Sequence, residues 1–286
     1  MGNSAIFEDF ARQRALNRSS EKVYGAMWGK FEAFCLVACA SPYLSSPATM
    51  EQFFAEQAWR PNTAKRYFRL LQDVFEYMVS SGDLAENPVT PLEKRFAYDF
   101  ERPEPLVLEP SQEQAVLEAL PLPKSWKKTR ARALIALLLG SGLKQFEAIR
   151  LPLSALELET SSPHVCLRTR HGAIDRVVPM APAIVQLLLE WLEARRGENL
   201  PGPLAFPASH RGEPLTASTV YRQVKAVLQK AGVRQTHMGS GLLRNSFGAK
   251  QFRDGEAFGT VQRRLGHRLA SSTEPLYRKS VPSAVD

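Results

Sequence analysis

The sequence predicts a mainly α, α+β protein: an all-helical N-terminal domain followed by a mainly helical C-terminal domain with one small antiparallel sheet. With 286 residues, the chain is long enough for two domains of about 100–200 residues each. Apolar residues recur at helical spacing from residue 7 to about residue 100, with no strand-like alternation. Alternation occurs only between residues 151 and 180. We therefore place the domains at 1–92 and 111–286, with a linker at 93–110.

The first half of the N-terminal domain contains two predicted helices. The segment FEDFARQRAL places apolar side chains on one helical face. The second helix follows Ser19-Ser20, a hydroxyl pair that can cap its first turn. Its expected buried stripe consists of Val23, Met27, Phe31 and Phe34.

Two more helices complete this domain. Ser46 or Thr49 can cap a short helix that contains MEQFFAEQ. Pro61 opens the segment TAKRYFRLLQDVFEYMVSSG, which we expect to be the longest helix and to end at Gly82. Residues 93–110 are charged and rich in proline, which is typical of an extended linker.

The C-terminal domain begins with helices. Ser111 is predicted to cap the first, and the Gly140-Ser141-Gly142 segment ends or bends the second. Strand signals follow in LPLSALELE, HVCLRTR and RVVPM, and the last two flank a hairpin turn at His171-Gly172-Ala173. APAIVQLLLEWLEARRG and TVYRQVKAVLQKAG are amphipathic helices, the latter capped by Thr216-Ala217-Ser218. Short helices broken at Gly255, Gly266 and Pro275 complete the chain.

Composition favours a polyanionic partner and excludes several classes of protein. The formal net charge is +8. No apolar run approaches the roughly 18 residues needed to span a bilayer, and no secretory signal begins the chain, so we expect a cytoplasmic protein. The three cysteines cannot build a disulfide framework and lack zinc-ligand partners at suitable spacing. We expect no metal and no cofactor.

Two clusters of cations in the N-terminal domain are candidate contacts for DNA phosphates. Arg18 and Lys22 lie near the start of one helix, and Lys65, Arg66 and Arg69 are interleaved with aromatic residues at another. Lys and Arg supply charge, and helix N-termini supply free N–H groups, as phosphate contacts require. The alternative is a pair of solvated helix faces above buried aromatics.

Three motifs occur in a specific order in the C-terminal domain. GSGLKQFEAIRL comes first, LLRNSFGA next, and LGHRLASSTEPLY last. With the helical N-terminal domain, this order resembles the tyrosine recombinase (phage integrase) family. The resemblance implies two domains that clamp DNA from opposite sides, with a three-stranded sheet in the second. It also implies transesterification through a 3′-phosphotyrosyl intermediate. The protein is then expected to come from a phage or mobile element and to be located at the bacterial nucleoid.

The resemblance assigns three residues directly. Tyr277 is the expected nucleophile, His267 the residue that hydrogen-bonds the phosphate, and Arg244 the arginine that grips it through two N–H bonds. Lys144 stands where the family has its first arginine, a substitution that exchanges a planar five-donor fork for a single ammonium.

Two further positions depart from the family pattern. In the family, a lysine on the hairpin donates the proton to the leaving oxygen, and Arg170 or His171 stands at that position here. His171 is the possible acid, and Arg170 is a candidate DNA contact. Gly241 stands where a histidine is expected, and His237 lies four residues earlier. The resemblance therefore predicts an atypical active site.

Three functions remain open at this point. The first is an active site-specific recombinase that acts on double-stranded DNA, as a dimer or tetramer and with possible accessory recombination proteins. The second is a recombinase-fold DNA-binding protein, a regulator or accessory factor that clamps specific DNA without cleaving it. The third is a helical protein-interaction module. We favour the first because Tyr277, Arg244 and His267 are all retained.

Overall fold

The computed structural model describes residues 4–94, 104–169 and 171–281, and the chain divides into two compact units between residues 103 and 104. The fold is mainly helical with one three-stranded antiparallel sheet, as the sequence predicts. None of the helices within these ranges is both long enough and apolar enough to cross a bilayer.

Four α-helices lie within the described residues of the first unit. They are α1 Ser4–Gln13, α2 Arg18–Ala38, α3 Pro47–Ala55 and α4 Pro61–Ser80. Ser46 and Thr49 together cap α3, because each side chain bonds the other residue's backbone N–H. Pro61 opens α4 as predicted, although α2 is the longer helix, with 21 residues against 20.

Two details of α2 differ from the prediction. Its cap is Asn17, whose side chain accepts hydrogen bonds from the backbone N–H groups of both Ser19 and Ser20. Extended backbone at Asn17 lets its side-chain Oδ1 reach these first-turn donors. Val23 is 40% exposed, and the buried face consists of Met27, Trp28, Phe31 and Cys35.

The second unit contains eight α-helices and three strands among its described residues. The helices are α5 Pro110–Glu118, α6 Trp126–Ser141, α7 Gln145–Ile149, α8 Pro182–Gly197, α9 Ala217–Lys230, α10 Ser240–Arg253, α11 Phe258–Leu265 and α12 Glu274–Ser280. The strands are β1 Leu156–Glu157, β2 His164–Arg168 and β3 Ile174–Pro179. They lie in the order β1-β2-β3, and β2 and β3 form the predicted hairpin.

The start of the second unit differs from the predicted linker. Val107 and Leu108 are buried in the unit's core, and the Leu108 N–H donates to Ser246 Oγ at 2.8 Å. The cap of α5 is Glu109 instead of Ser111, because Pro110 already takes the first helical position. The apolar LVL run at residues 106–108 therefore belongs to the core. The prolines around it led to its assignment to the linker.

Two other elements are shorter or placed differently than predicted. Only Leu156–Glu157 of the LPLSALELE segment is strand, because a 3₁₀ turn occupies Leu153–Ala155. Pro275 lies in the first turn of α12 and so begins a helix instead of breaking one.

Helix α6 is the central element of the second unit. Ala133 to Leu138 are all buried, and α6 packs against both α8 and α10. Gly142 ends it in a left-handed conformation with φ 61°. The buried helix thereby fixes the position of the turn that follows it, which carries Lys144.

Candidate active site

The Lys144 turn is held by close packing and by one carboxylate. A Cβ on Gly142 would lie 2.5 Å from the Phe247 ring, so this approach requires glycine. Lys144 precedes α7, and its backbone N–H donates to Glu147 Oε2 at 2.7 Å. Its Nζ lies 3.9 Å from Glu147 Oε1, and its side chain is 40% exposed. The ammonium is therefore anchored at one side and open to solvent at the other.

Arg244 on α10 joins this turn to the end of α11. Its two Nη atoms donate to the carbonyl oxygens of Gly142 and Leu265. Burial lowers the pKa of Arg244 to about 10, so the guanidinium remains charged at neutral pH. Both carbonyls lie two residues before a predicted site residue, Lys144 or His267. Arg244 therefore fixes the spacing between those two residues.

His267 follows Gly266, which ends α11 with φ 64°. Its Nδ1 lies 2.9 Å from Oγ1 of the fully buried Thr273. Burial, together with the charges of Arg244, Lys144 and Arg176, lowers the pKa of His267 to about 4. The ring is therefore neutral at neutral pH. When the Thr273 hydroxyl donates to Nδ1, Nε2 carries the proton and can donate to an anion.

A cleft of about 520 Å³ lies beside these residues. Besides Lys144 and His267, its lining includes Arg176, Thr260, Arg263 and Arg268. Arg268 is exposed and has no hydrogen-bond or ion-pair partner within the described parts of the chain. Arg264 and the carboxylates of Glu147 and Asp175 complete the charged lining, so the five cations outnumber the two anions, and one neutral imidazole lies at the wall.

Sequence reasoning did not identify Arg176 or Arg268. Arg176 and Val178 are two residues apart and lie on the same inward face of β3. A charged residue at an inward position indicates a buried ion pair. Arg268 follows directly after His267, and only its place in the cleft marks it.

Tyr277 lies outside the lining of this cleft. Its ring packs edge-on against Phe252 and Phe258, with centroids 5.2 and 5.7 Å away. At 1.5 Å per residue, the Phe252 Cα is about 12 Å along α10 from that of Arg244. The Tyr277 N–H donates to the Thr273 carbonyl at 3.1 Å, so Thr273 links the tyrosine helix to His267. The structure thus brings Lys144, Arg244 and His267 together and places the Tyr277 ring to one side.

The remaining predicted site residues are exposed or outside the described residues. His171 lies exposed at the tip of the β2–β3 turn and does not line the cleft, and Arg170 lies outside the described residues. Gly241 is exposed in the first turn of α10, and a Cβ there would meet no atom within 4 Å. His237 is exposed in the loop before α10.

The first unit has a second cationic cleft, of about 630 Å³. Its lining includes Lys65, Arg66 and Arg69 from α4 and Arg14 from α1. The Arg66 guanidinium lies 5.6 Å from the ring centroid of Tyr24. The other two predicted DNA contacts, Arg18 and Lys22, are exposed outside this cleft. Within the described residues, no cluster of three or more His, Cys, Asp or Glu side chains could hold a metal ion.

The fold, with Lys144, Arg244, His267 and Tyr277 in this order along it, is that of the tyrosine recombinases. Residues 107–283 match the Phage integrase family, and the chain therefore belongs to this family of tyrosine recombinases.

Curated relatives are tyrosine recombinases, and solved recombinase structures share the fold. The chain is 26% identical over 233 residues to the tyrosine recombinase XerD of Brucella melitensis, covering 77% of this chain and 72% of the relative. It is 26% identical over 236 residues to XerD of Vibrio cholerae, covering 78% and 72%. A post-cleavage complex of the site-specific recombinase XerH with palindromic difH DNA is similar, with TM-score 0.81 at 20% identity, covering 97% and 81% of the two chains. A λ integrase dimer bound to a core site has TM-score 0.72 at 14% identity, covering 99% and 98%.

Proposed function

We propose that this chain is a site-specific DNA recombinase whose Tyr277 hydroxyl attacks a DNA phosphodiester. The phenolic oxygen forms a bond to phosphorus as the P–O5′ bond breaks, which leaves a 3′-phosphotyrosyl link. The phenolic proton is released, and the departing 5′-oxygen takes up a proton. Attack by a 5′-hydroxyl reverses the step and completes the transesterification.

One observation carries this proposal: a cationic cleft contains a neutral imidazole donor, and Thr273 connects that imidazole to the helix of Tyr277. In phosphoryl transfer, negative charge spreads over the non-bridging oxygens of the transition state. Fixed cations and hydrogen-bond donors around those oxygens are the largest source of catalysis. Lys144 and His267 line the cleft, and Arg244 holds the backbone beside each of them.

The residue roles follow from the donors available. Arg244 uses one N–H on each Nη for the two carbonyls, so three of its five N–H bonds remain for a phosphate. Lys144 supplies one mobile ammonium, and Arg268 adds a guanidinium on the same cleft. We assign the proton donor to His171, because its exposed position at the hairpin tip leaves the imidazole accessible to bound DNA.

The partner is double-stranded DNA, held by phosphate contacts in both units. Arg18, Lys22, Lys65, Arg66 and Arg69 of the first unit and Arg170 of the hairpin are the proposed contacts. A homodimer or tetramer on DNA, in the cytoplasm at the nucleoid and aided by accessory recombination proteins, is the proposed working form. The λ integrase dimer on its core site supports the oligomeric part of this proposal.

The test is covalent capture on DNA. The protein is incubated with duplexes from the DNA flanking its gene, each nicked beside the candidate cleavage position, and then denatured. We expect a denaturant-resistant protein–DNA adduct, absent from Tyr277→Phe. DNA that is bound specifically by the wild type but yields no adduct would refute strand cleavage.

A second function is a recombinase-fold protein that binds specific DNA without cleaving it. The observation in its favour is the packing of the Tyr277 ring against Phe252 and Phe258, outside the cleft lining. This function predicts salt-sensitive, sequence-specific binding with no adduct on any nicked duplex. Equal affinity for the wild type and Tyr277→Phe is expected under both functions, so only the adduct distinguishes them.

A further inference from the structure

Arg176 is an almost buried cation in the middle of β3. Its side chain is 5% exposed, and each of its nitrogens has a partner. Nε donates to the Arg264 carbonyl at 2.9 Å, Nη1 to Asp175 Oδ2 at 2.7 Å, and Nη2 to Glu147 Oε2 at 2.7 Å. Three of its five N–H bonds are engaged, and at 5% exposure the guanidinium offers little surface to a DNA phosphate.

These bonds connect three separate segments of the chain. Glu147 belongs to the Lys144 turn, because the same Oε2 atom also accepts the Lys144 N–H. The Arg264 carbonyl belongs to the end of α11, three residues before His267. Arg176 itself belongs to β3, one arm of the hairpin that carries His171. One side chain therefore joins the segments of three proposed site residues.

Gly266 provides the space that this guanidinium occupies. A Cβ at position 266 would lie 2.7 Å from Arg176 Nη1 and 2.9 Å from its Cζ. Any other residue at this position would displace the Arg176 head group or the turn before His267. The glycine is therefore required by the neighbouring side chain as well as by its own φ of 64°.

We propose that Arg176 is the positioning residue of the site, a buried three-point link that sets the Lys144 turn, the hairpin and the His267 turn in one geometry. The inference rests on the proposed function for its catalytic consequence. Its structural consequence is independent of that function, because the link exists in the protein without DNA. Arg176 acts through Lys144, His267 and His171 and does not contact the phosphate.

The direct test is Arg176→Gln, with Arg176→Lys beside it. Both variants are first checked for folding by circular dichroism and thermal unfolding. We expect the single-turnover rate of adduct formation at saturating protein to fall about 100-fold, because small misplacements of catalytic groups cost about this much. DNA affinity should stay within about threefold of wild type, because no phosphate contact is lost. Lysine should not rescue the rate, since its three N–H bonds leave one nitrogen and cannot reach acceptors that lie beside three separate nitrogens of the planar guanidinium.

A matched pair of glycine variants tests the same link while keeping Arg176. Gly266→Ala pushes a Cβ into the guanidinium, whereas Gly232→Ala, at φ 72° after α9, meets no atom within 4 Å. Both substitutions impose a similar backbone strain, so their difference isolates the contact with Arg176. We expect Gly266→Ala to lower the adduct rate as Arg176→Gln does, and Gly232→Ala to retain it. This pair keeps the inference testable if Arg176→Gln does not fold.

Hydrogen exchange on the free protein separates this inference from the proposed function. Loss of the link in Arg176→Gln should speed amide exchange at Lys144 and His267 by about tenfold, with no change in α8. Unchanged exchange at both amides would overturn the inference even if the wild type forms adducts. So would a wild-type adduct rate in Arg176→Gln or in Arg176→Lys, or a loss of DNA affinity that matches the loss of rate. Absence of any wild-type adduct with accelerated exchange in the variant would refute the proposed function alone.

Discussion

Lys144 has one ammonium group at a position where the resemblance to the tyrosine recombinases implies an arginine. An arginine side chain can give a phosphate two parallel N–H bonds in a fixed plane, whereas a lysine gives one bond from a flexible stem. Glu147 lies 3.9 Å from the ammonium and draws it to one wall of the cleft. Among the described residues of this cleft wall, Arg268 has no hydrogen-bond or ion-pair partner, and Arg263 bonds only the neutral Thr260 hydroxyl. At the scale of single residues, we therefore propose that the site has enough positive charge and a shortage of well-oriented donors.

The first prediction concerns that shortage. Lys144→Arg should raise the single-turnover rate of adduct formation by about 100-fold, because an added transition-state donor has roughly this effect. The Lys144 side chain is 40% exposed, so the longer arginine fits without repacking the core. Lys250→Arg, on the exposed side of α10, is the matched control and should leave the rate unchanged. A rate that does not rise would mean that Arg268 already supplies the missing guanidinium, and Arg268→Ala should then abolish adduct formation.

The second prediction concerns the protonation of His267. Its folded-state pKa of about 4 lies below the ordinary value of 6.5, so the unfolded chain binds more protons between these two pH values. The contribution of His267 to stability is therefore complete above pH 6.5, and it declines as the pH falls towards 4. NMR titration of the ring should show a midpoint near 4, and denaturant unfolding should show a larger loss of stability between pH 7 and pH 4.5 for wild type than for His267→Gln. A ring midpoint near 6.5 would show that burial and the neighbouring cations do not lower the pKa of His267.

At the scale of secondary-structure elements, α12 is a part of the site that cannot be stable by itself. It has seven residues, too few to be stable as an isolated helix, so its position depends on packing. Leu276 is 3% exposed and lies close to Gly248 of α10. Together with the Tyr277 ring, this buried leucine therefore docks the helix that carries the proposed nucleophile.

The third prediction follows from this docking. Leu276→Ala should cost about 2–5 kcal/mol of local packing, which is enough to release α12 before the rest of the unit unfolds. We expect faster proteolysis between residues 270 and 281 and loss of adduct formation, with thermal unfolding of the remaining core little changed. Leu269→Ala removes the same side chain from the same segment at a position 67% exposed, and it should behave as wild type. Equal protease sensitivity of the two variants would show that α12 is docked by other contacts.

Local signals predicted most elements but few of their tertiary roles. Gly142 ends α6 and Gly172 turns the hairpin as expected, because a left-handed glycine is a local signal. The cap of α2 was misplaced by two residues because Asn17 competes with the hydroxyls that follow it. Arg176 could not be assigned a role from sequence, since its partners lie 29 and 88 residues away. Such partners are known only once the chain has folded.

At the scale of the whole molecule, both units carry cations, and the formal net charge is +8. Charge of this size promotes association with any polyanion and does not by itself select a sequence. What distinguishes this chain is that part of the charge lines two clefts, one in each unit. The number of phosphate contacts made in such clefts can be measured from the salt dependence of binding. Each contact releases bound counterions and makes the slope of log affinity against log salt steeper.

The fourth prediction counts one of these contacts in the first unit. Arg69 lines the cleft with Lys65 and Arg66, whereas Arg12 is 77% exposed and pairs with Asp9 at 2.8 Å. Each of the variants Arg69→Ala and Arg12→Ala removes one positive charge, so they have the same effect on net charge. If Arg69 contacts a phosphate, its loss should reduce the slope of log affinity against log salt by about 0.9, and Arg12→Ala should leave the slope unchanged. Fluorescence anisotropy with one labelled duplex between about 50 and 200 mM salt measures both slopes. Equal slopes for the two variants would mean that the first unit binds DNA through its overall charge and not through this cleft.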